Sequence, residues 1–313
     1  VEAVVKIAVV GAGGVGGFFG AKLARGGADV TFIARGATLQ ALRERGIRVQ
    51  SIEGDFDLSE VRAQTPAGAG GPFDAVLMAV KAWQIEEAAG QIKPLLHAKS
   101  VVVPLENGIE APDQLRRIVG SEHAAGGLCA IVSYVVEPGL IKHAAFDPMV
   151  MFGELDNRKS ERLEHLREAF VKAGVKAEIP PDIHRSMWTK FVFITPMSGV
   201  GAVTRVPVGI WRATPESRHM AQQAVEEVAR LATARGVHLD EAVVASTMQR
   251  YDALAAESTA SLQRDVMHGR PSELEAQVGA VVRLGGPARV PTPVHDFLYA
   301  ALLPLERQAR AIP

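Results

Sequence analysis

Residues 6–20 read KIAVVGAGGVGGFFG. Ile7 to Val10 has the unbroken apolar character of a strand buried on both faces. It gives way to glycines at Gly11, Gly13, Gly14, Gly16 and Gly17, after which Phe18, Phe19, Ala21, Leu23 and Ala24 recur at helical spacing. Strand, glycine turn, helix is the context in which Gly11, Ala12, Gly13, Gly14, Val15 and Gly16 read as a dinucleotide-binding fingerprint. Gly11 permits a tight turn, Gly13 lets backbone approach a pyrophosphate, and Gly16 lets the helix lie close on the strand. The free amides and dipole of the helix start favour bound phosphate. The alternative is a glycine-rich turn with no ligand, and the strand and helix around it weigh against that.

The next strand selects the cofactor. Asp29 to Ala34 (DVTFIA) reads as a second buried strand. An NAD site carries an acid about 20 residues past the glycines to bind the ribose 2′-hydroxyl. Thr31, Phe32, Ile33 and Ala34 offer no carboxylate there, and Asp29 comes too early. Arg35 follows instead. Its planar, permanently charged guanidinium suits a 2′-phosphate, which predicts NADP (NADPH) as cofactor. The competing reading is a solvated arginine at a strand end.

Length and composition set the frame. A chain of 313 residues that is 48% apolar is expected to form about two domains with real cores. A net charge of −1 gives no electrostatic footprint for nucleic acid or an anionic membrane surface. Cys129, the only cysteine, excludes an internal disulfide and fits a reducing compartment. No apolar run is long enough to span a bilayer, and a strand begins too early for a signal peptide. The expectation is a soluble cytoplasmic protein. No histidine pair has the i, i+4 spacing of a helical zinc site, so no metal is expected. The sequence leaves homodimer formation open.

Residues 1–180 alternate strand and helix patterns, which predicts a Rossmann-like α/β domain with a parallel sheet. Pro180-Pro181 punctuates the chain. Residues 181–313 read as an all-α domain, with a helix over 183–203 kinked at Pro196, another starting at Pro215 with Thr214 as its cap, and others over 240–256, 261–268, 272–284 and 293–308.

The candidate chemistry is spread over both halves. Lys190 lies in MWTKFVFI (187–194), with apolar residues on nearly every helical face; it must snorkel or be used. Desolvation would fit it to donate a proton to a carbonyl oxygen. Glu273 is expected in the first turn of a helix, where an acid also complements the dipole. Asn107 precedes Gly108 and reads equally as a turn residue. Lys81 follows a buried strand, where it could face the cofactor or simply solvent.

Together these blocks resemble the ketopantoate reductase family: GAGGVGG at 11–17, FIARG at 32–36, VKAW with Gln84 at 80–84, ENG at 106–108, MWTK at 187–190, SLQRD at 261–265 and GRPSELE at 269–275. The resemblance covers nearly the whole chain. It implies NADPH-dependent reduction of a 2-oxo acid, 2-dehydropantoate to pantoate, on the route to pantothenate and coenzyme A. It implies Lys190 as general acid and substrate ligand, and Asn107 at the nicotinamide ribose and substrate. Arg35 and Lys81 match positions on the adenine-ribose phosphate, Ser261 a substrate-binding serine, and Glu273 the carboxylate near the lysine and nicotinamide ribose. The sequence departs from the family pattern at three asparagine positions, which here are Ile194, Ser198 and Val278. Ser198 keeps a hydroxyl at the substrate; Ile194 and Val278 keep no polar group. Two further readings follow: a related reductase with a different 2-oxo acid, or a non-catalytic NADP-binding sensor. Retention of Lys190, Ser261 and Glu273 speaks against the sensor.

Overall fold

A computed structural model describes residues 5–311. Its strands are β1 (Lys6–Val10), β2 (Asp29–Ile33), β3 (Ile47–Ser51), β4 (Phe56–Leu58), β5 (Arg62–Gln64), β6 (Phe73–Met78), β7 (Leu96–Pro104), β8 (Ala125–Glu137), β9 (Leu140–Glu154) and β10 (Lys176–Glu178). The helices that accompany them are α1 (Gly14–Arg25), α2 (Gly36–Arg45), α3 (Ile85–Ile92), α4 (Ala111–Val119) and α5 (Glu161–Lys172). Seven more follow: α6 (Ile183–Thr204), α7 (Val208–Ala213), α8 (Pro215–Ala234), α9 (Val243–Ala253), α10 (Ser261–Met267), α11 (Val278–Ala288) and α12 (Pro293–Ala311). The chain divides into two compact units. The first runs to Glu106 and resumes over Ala111–Ile183; the second holds Asn107–Glu110 and continues from His184.

The first unit is built on a parallel five-stranded sheet in the order β5-β2-β1-β6-β7. The period of two in a strand sends alternate residues to opposite faces, and both faces are covered. Ile7, Val9, Ala75, Leu77, Val101 and Val103 pack with Phe18, Phe19 and Leu23 of α1 and with α5. Ala8, Val10, Val76, Met78 and Val102 pack with Ile85, Ala88, Ala89 and Ile92 of α3 and Leu115 of α4. Burial on both sides is why these strands are apolar without alternation. A second, mixed sheet runs β10-β9-β3-β4, with β8 antiparallel to β9. The second unit is helical. Its core gathers Trp188, Phe191, Val192 and Val200 of α6 with Trp211, Val225, Val228, Tyr251, Leu262, Leu274, Val278 and Leu298.

The structure corrects the sequence reading in several places. Strand β5 and helix α4 were not expected. The strand character that the sequence shows at 128–136, 140–143 and 149–155 is gathered into two long strands, β8 and β9, joined at Pro138-Gly139. Thr214 stands at the start of α8 but does not cap it: its hydroxyl donates to the Ile210 carbonyl at 3.0 Å. Thr214 also closes α7, and the i−4 carbonyl of that helix is the nearer acceptor. The helix expected from Ser272 begins only at Val278.

Candidate active site

In the α/β unit the glycine turn is fixed by what each glycine lacks. Gly11 sits at φ +93, and a Cβ there would lie 2.8 Å from the Ala79 carbonyl oxygen. A Cβ on Gly16 would collide with the Gly11 carbonyl and lie 3.1 Å from Val9 Cγ1, so α1 rests on β1 at this point. Gly13 has open space where a side chain would stand. Gly14 and Gly17 answer to the second sheet, against Ser133 of β8 and Ile141 of β9 respectively. Helix α1 starts after Gly13 with no side-chain cap and no acid in its first turn. Uncapped first-turn amides beside an open glycine suit a pyrophosphate.

Arg35 follows β2 in extended conformation and precedes α2. More than half exposed, its guanidinium reaches α3, where it pairs with Glu87 at 2.9 Å and donates to Gln91 Oε1 at 3.4 Å. Lys81 lies exposed between β6 and α3, its ammonium 5.8 Å from the Trp83 ring centre. Thus Arg35 is tied to α3, and Lys81 lies in the turn that leads into that helix. Glu87 is 52 residues beyond Arg35, and nothing local in the sequence signals the pair.

In the helical unit, α6 carries Lys190, Ile194 and Ser198 at intervals of four, on one side of the helix. Lys190 is half-buried between Thr189 and the fully buried Phe191 and Val192, and makes no ion pair among the described residues. Pro196 interrupts this helix, and its missing N–H leaves the Val192 carbonyl without its helical donor. The break is supported from α9. Tyr251 donates its hydroxyl to the Phe193 carbonyl at 2.6 Å, and Arg250 stacks 4.1 Å from the Phe193 ring centre. Burial pushes the Tyr251 hydroxyl far above its ordinary pKa, so it stays a donor.

Glu273 is buried, in a turn five residues ahead of α11 rather than in its first turn. Its carbonyl accepts the Gln277 amide at 3.1 Å. Asn107 is half-buried and is drawn to this turn by its neighbour: Gly108, at φ +138, lies where a Cβ would be 2.9 Å from the Ala276 carbonyl oxygen. Arg283 ties the two segments further, with 2.7 Å contacts to Glu110 and Glu275. Ser261 is the first residue of α10, half-buried, and that helix meets α6 where Gln263 lies over Gly201. So the structure joins Asn107 to the Glu273 turn, and Ser261's helix to Lys190's.

Ser198, a candidate from the sequence, has two buried polar companions in this unit that sequence reasoning missed, Thr195 and Gln277. Ser198 is fully buried and its hydroxyl has no partner; the same holds for Thr195. Gln277 is fully buried with neither amide atom hydrogen-bonded. The available signal for Thr195 was a threonine inside the otherwise apolar run 191–197; Gln277, which follows Glu273 and Glu275, carried none. Elsewhere, among the described residues, no cluster of side chains could hold a metal ion, and no helix is long and apolar enough to cross a membrane.

The family model described as ketopantoate reductase PanE/ApbA matches residues 7–157, and that of its C-terminal domain matches residues 182–306. An uncharacterized oxidoreductase, YkpB of Bacillus subtilis, is 32% identical over 95% of this chain and 97% of its own. A 2-dehydropantoate 2-reductase of Mesorhizobium japonicum is 30% identical over 94% of this chain and 96% of its own. The crystal structure of 2-dehydropantoate 2-reductase from Geobacter metallireducens superposes with a TM-score of 0.89 at 30% identity, covering 96% of this chain and 99% of that one.

Proposed function

The chain belongs to the ketopantoate reductase family of oxidoreductases, and on that premise we propose that it reduces a 2-oxo acid to the 2-hydroxy acid with NADPH. The simplest substrate is 2-dehydropantoate, giving pantoate for pantothenate and coenzyme A. The observation that carries this reading is Lys190, half-buried on an apolar stretch of α6 with no ion pair among the described residues. A cation left unpaired in such surroundings is suited to act on a ligand.

The nicotinamide supplies the hydride. Lys190 stabilises the negative charge growing on the ketone oxygen and delivers a proton to it. Glu273, buried in its turn, orients the lysine and the nicotinamide ribose, and Asn107 beside that turn meets the same ribose and the substrate. Ser261 and Ser198 hold the substrate. Gly11, Ala12, Gly13, Gly14, Val15 and Gly16 cradle the pyrophosphate, while Arg35 and Lys81 receive the 2′-phosphate. The division of labour assigns the cofactor to residues 1–180 and the substrate chemistry to 181–313, with Asn107 and Glu273 as the exceptions.

A second reading is favoured by Ile194, Ser198 and Val278, which stand where the family has asparagines. It keeps the reaction and changes the acid. One assay addresses both: NADPH oxidation by the purified protein across a panel of 2-oxo acids, with NADH run alongside. Turnover dependent on 2-dehydropantoate and NADPH is expected. A clear preference for another acid selects the second reading, and no oxidation with any acid overturns both.

A further inference from the structure

The residue before Glu273 is gripped from α12. Glu306 is 2% exposed; it accepts the Ser272 amide at 3.0 and 3.1 Å and the Ser272 hydroxyl at 2.6 Å. The Ser272 carbonyl accepts Arg310 at 3.1 Å, and Arg310, one turn beyond Glu306, pairs with that carboxylate at 2.6 Å. So the amide, the hydroxyl and the carbonyl of Ser272 are all taken by two residues of one helix. The Ser272 hydroxyl also accepts the Leu274 amide at 3.3 Å, which ties the backbone on one side of Glu273 to the backbone on the other. Tyr299 lies two turns before Glu306, on the same side of α12, and donates its hydroxyl to Glu275 at 2.7 Å. The segment that carries Glu273 is therefore fastened to α12 at 272 and again at 275.

Stability alone does not call for a carboxylate at 306. Burying one costs desolvation that an apolar side chain packing the same helix would not. What the carboxylate supplies is geometry. Its two oxygens accept amide and hydroxyl together, in charge-assisted bonds that are short and strong. They fix the peptide that enters Glu273, and the hydroxyl fixes the amide that follows. Swinging the buried Glu273 side chain away by backbone rotation would break these bonds.

We propose that Glu306 is a positioning residue for the reduction: by fixing Ser272 it aims the Glu273 carboxylate. This rests on the reductase reading, in which Glu273 orients Lys190 and the nicotinamide ribose. Glu306 acts through Glu273, not on substrate or cofactor.

The test is a double-mutant cycle on turnover of the preferred 2-oxo acid with NADPH, using wild type, Glu306→Gln, Glu273→Gln and the double variant. An amide has one accepting oxygen, so Glu306→Gln keeps the side-chain shape and loses half of the grip. Its kcat should fall about tenfold to a hundredfold, as a misplacement of about 1 Å can cost, with KM for the acid little changed. Added to Glu273→Gln, it should lower kcat no further, because the group it positions is already gone. Glu227→Gln is the control for stability: it removes the buried carboxylate that holds the start of α12, and should lose Tm while keeping kcat. Ser272→Ala serves if Glu306→Gln does not fold; it should lower kcat by less and likewise add nothing to Glu273→Gln. Losses that multiply in the double variant overturn the proposal and make Glu306 a structural residue. So does wild-type kcat in both Glu306→Gln and Ser272→Ala, or in Glu273→Gln, with the reductase reading left standing. Failure of the wild type on every 2-oxo acid sinks that reading, and the positioning role with it.

Discussion

The glycine turn of the α/β unit and the α6 face of the helical unit reach their chemistry by opposite routes. At the turn, recognition is made of backbone, and the sequence contributes by leaving side chains out. Gly11 is held at φ +93 and Gly16 has the Gly11 carbonyl where a Cβ would stand, so neither position tolerates much else. On α6, recognition is made of side chains on a helix that folds whichever polar residue it bears. With an apolar Ile194 and a hydroxyl at Ser198 on one side, α6 runs from Ile183 to Thr204. The proposed cofactor site of this chain is therefore constrained by folding itself, while the proposed substrate wall on α6 is not.

The largest expected effect lies on the helical side. Lys190→Ala should lower kcat about 10²–10⁴-fold, the usual worth of a positioned general acid, with NADPH binding, followed by fluorescence titration, close to wild type. Near-normal turnover in this variant would break the division of roles between the two units. Gly16→Val should do the reverse. The collision with the Gly11 carbonyl should cost about 1–3 kcal/mol of stability, as overpacking does, and NADPH binding should fall with it. Thermal unfolding and the same titration read both losses. A Gly16→Val protein that binds NADPH normally would mean that α1 is not pinned to β1 as described.

Each unit also contains one buried acid whose titration should be visible in its acid stability. Glu154 accepts both arms of Arg162 at 2.7 Å, and Glu227 accepts His295 Nδ1 at 2.6 Å together with the Val294 and His295 backbone amides. Burial pushes each carboxyl up. For Glu154 the Arg162 hydrogen bonds and the Arg162 and Arg158 charges outweigh it; for Glu227 the bonds from His295 and Val294 do, and both end below the ordinary 4.5. A lowered folded-state pKa contributes stability above the unfolded value, and that contribution is lost as pH falls through the folded value. Stability should therefore decline below pH 4.5 in both units. Glu227→Gln should lower Tm at neutral pH and flatten the decline, because the amide has no proton to gain. A Glu227→Gln Tm that falls as steeply with acid as the wild type would place the sensitivity elsewhere.

The asymmetry between the units governs what could be read from the sequence. The turn at 11–16 was legible because glycine spacing encodes backbone geometry directly, and β1, β2 and β6 because strands buried on both faces are uniformly apolar. Strand β5 was not. Its three residues, Arg62–Gln64, bury only Ala63, and beyond the backbone ladder they reach β2 through an Arg62–Asp29 ion pair. Glu273 looked like a helix start because Pro271-Ser272 precedes it. The chain instead spends 273–277 in a turn, held against the Asn107-Gly108 loop more than 160 residues away in sequence. Gln277 was unreadable for a related reason: a glutamine beside Glu273 and Glu275 reads as a surface residue unless tertiary packing buries it, and that packing joins α6 to the start of α11.

The smallest effect bears on the pair that the sequence could not anticipate. Arg35 stands where a 2′-phosphate is expected, yet its guanidinium is held by Glu87 at 2.9 Å, with both side chains more than half exposed. An exposed pair is weak, so Glu87 should tune cofactor affinity rather than block it. Bound phosphate would have to replace the carboxylate. Glu87→Gln should thus tighten NADPH binding by about twofold to fivefold, in line with an exposed pair of about 0.2–1 kcal/mol, and leave NADH binding unchanged, since NADH brings no 2′-phosphate. Arg35→Ala should weaken NADPH alone, and adding salt should shrink the difference between Glu87→Gln and wild type. If Glu87→Gln strengthens both cofactors equally, the gain comes from α3 packing and Arg35 does not read the phosphate. The cation of the α/β unit would then be as replaceable as the amides of α6, and the contrast between the two units would narrow to the glycines.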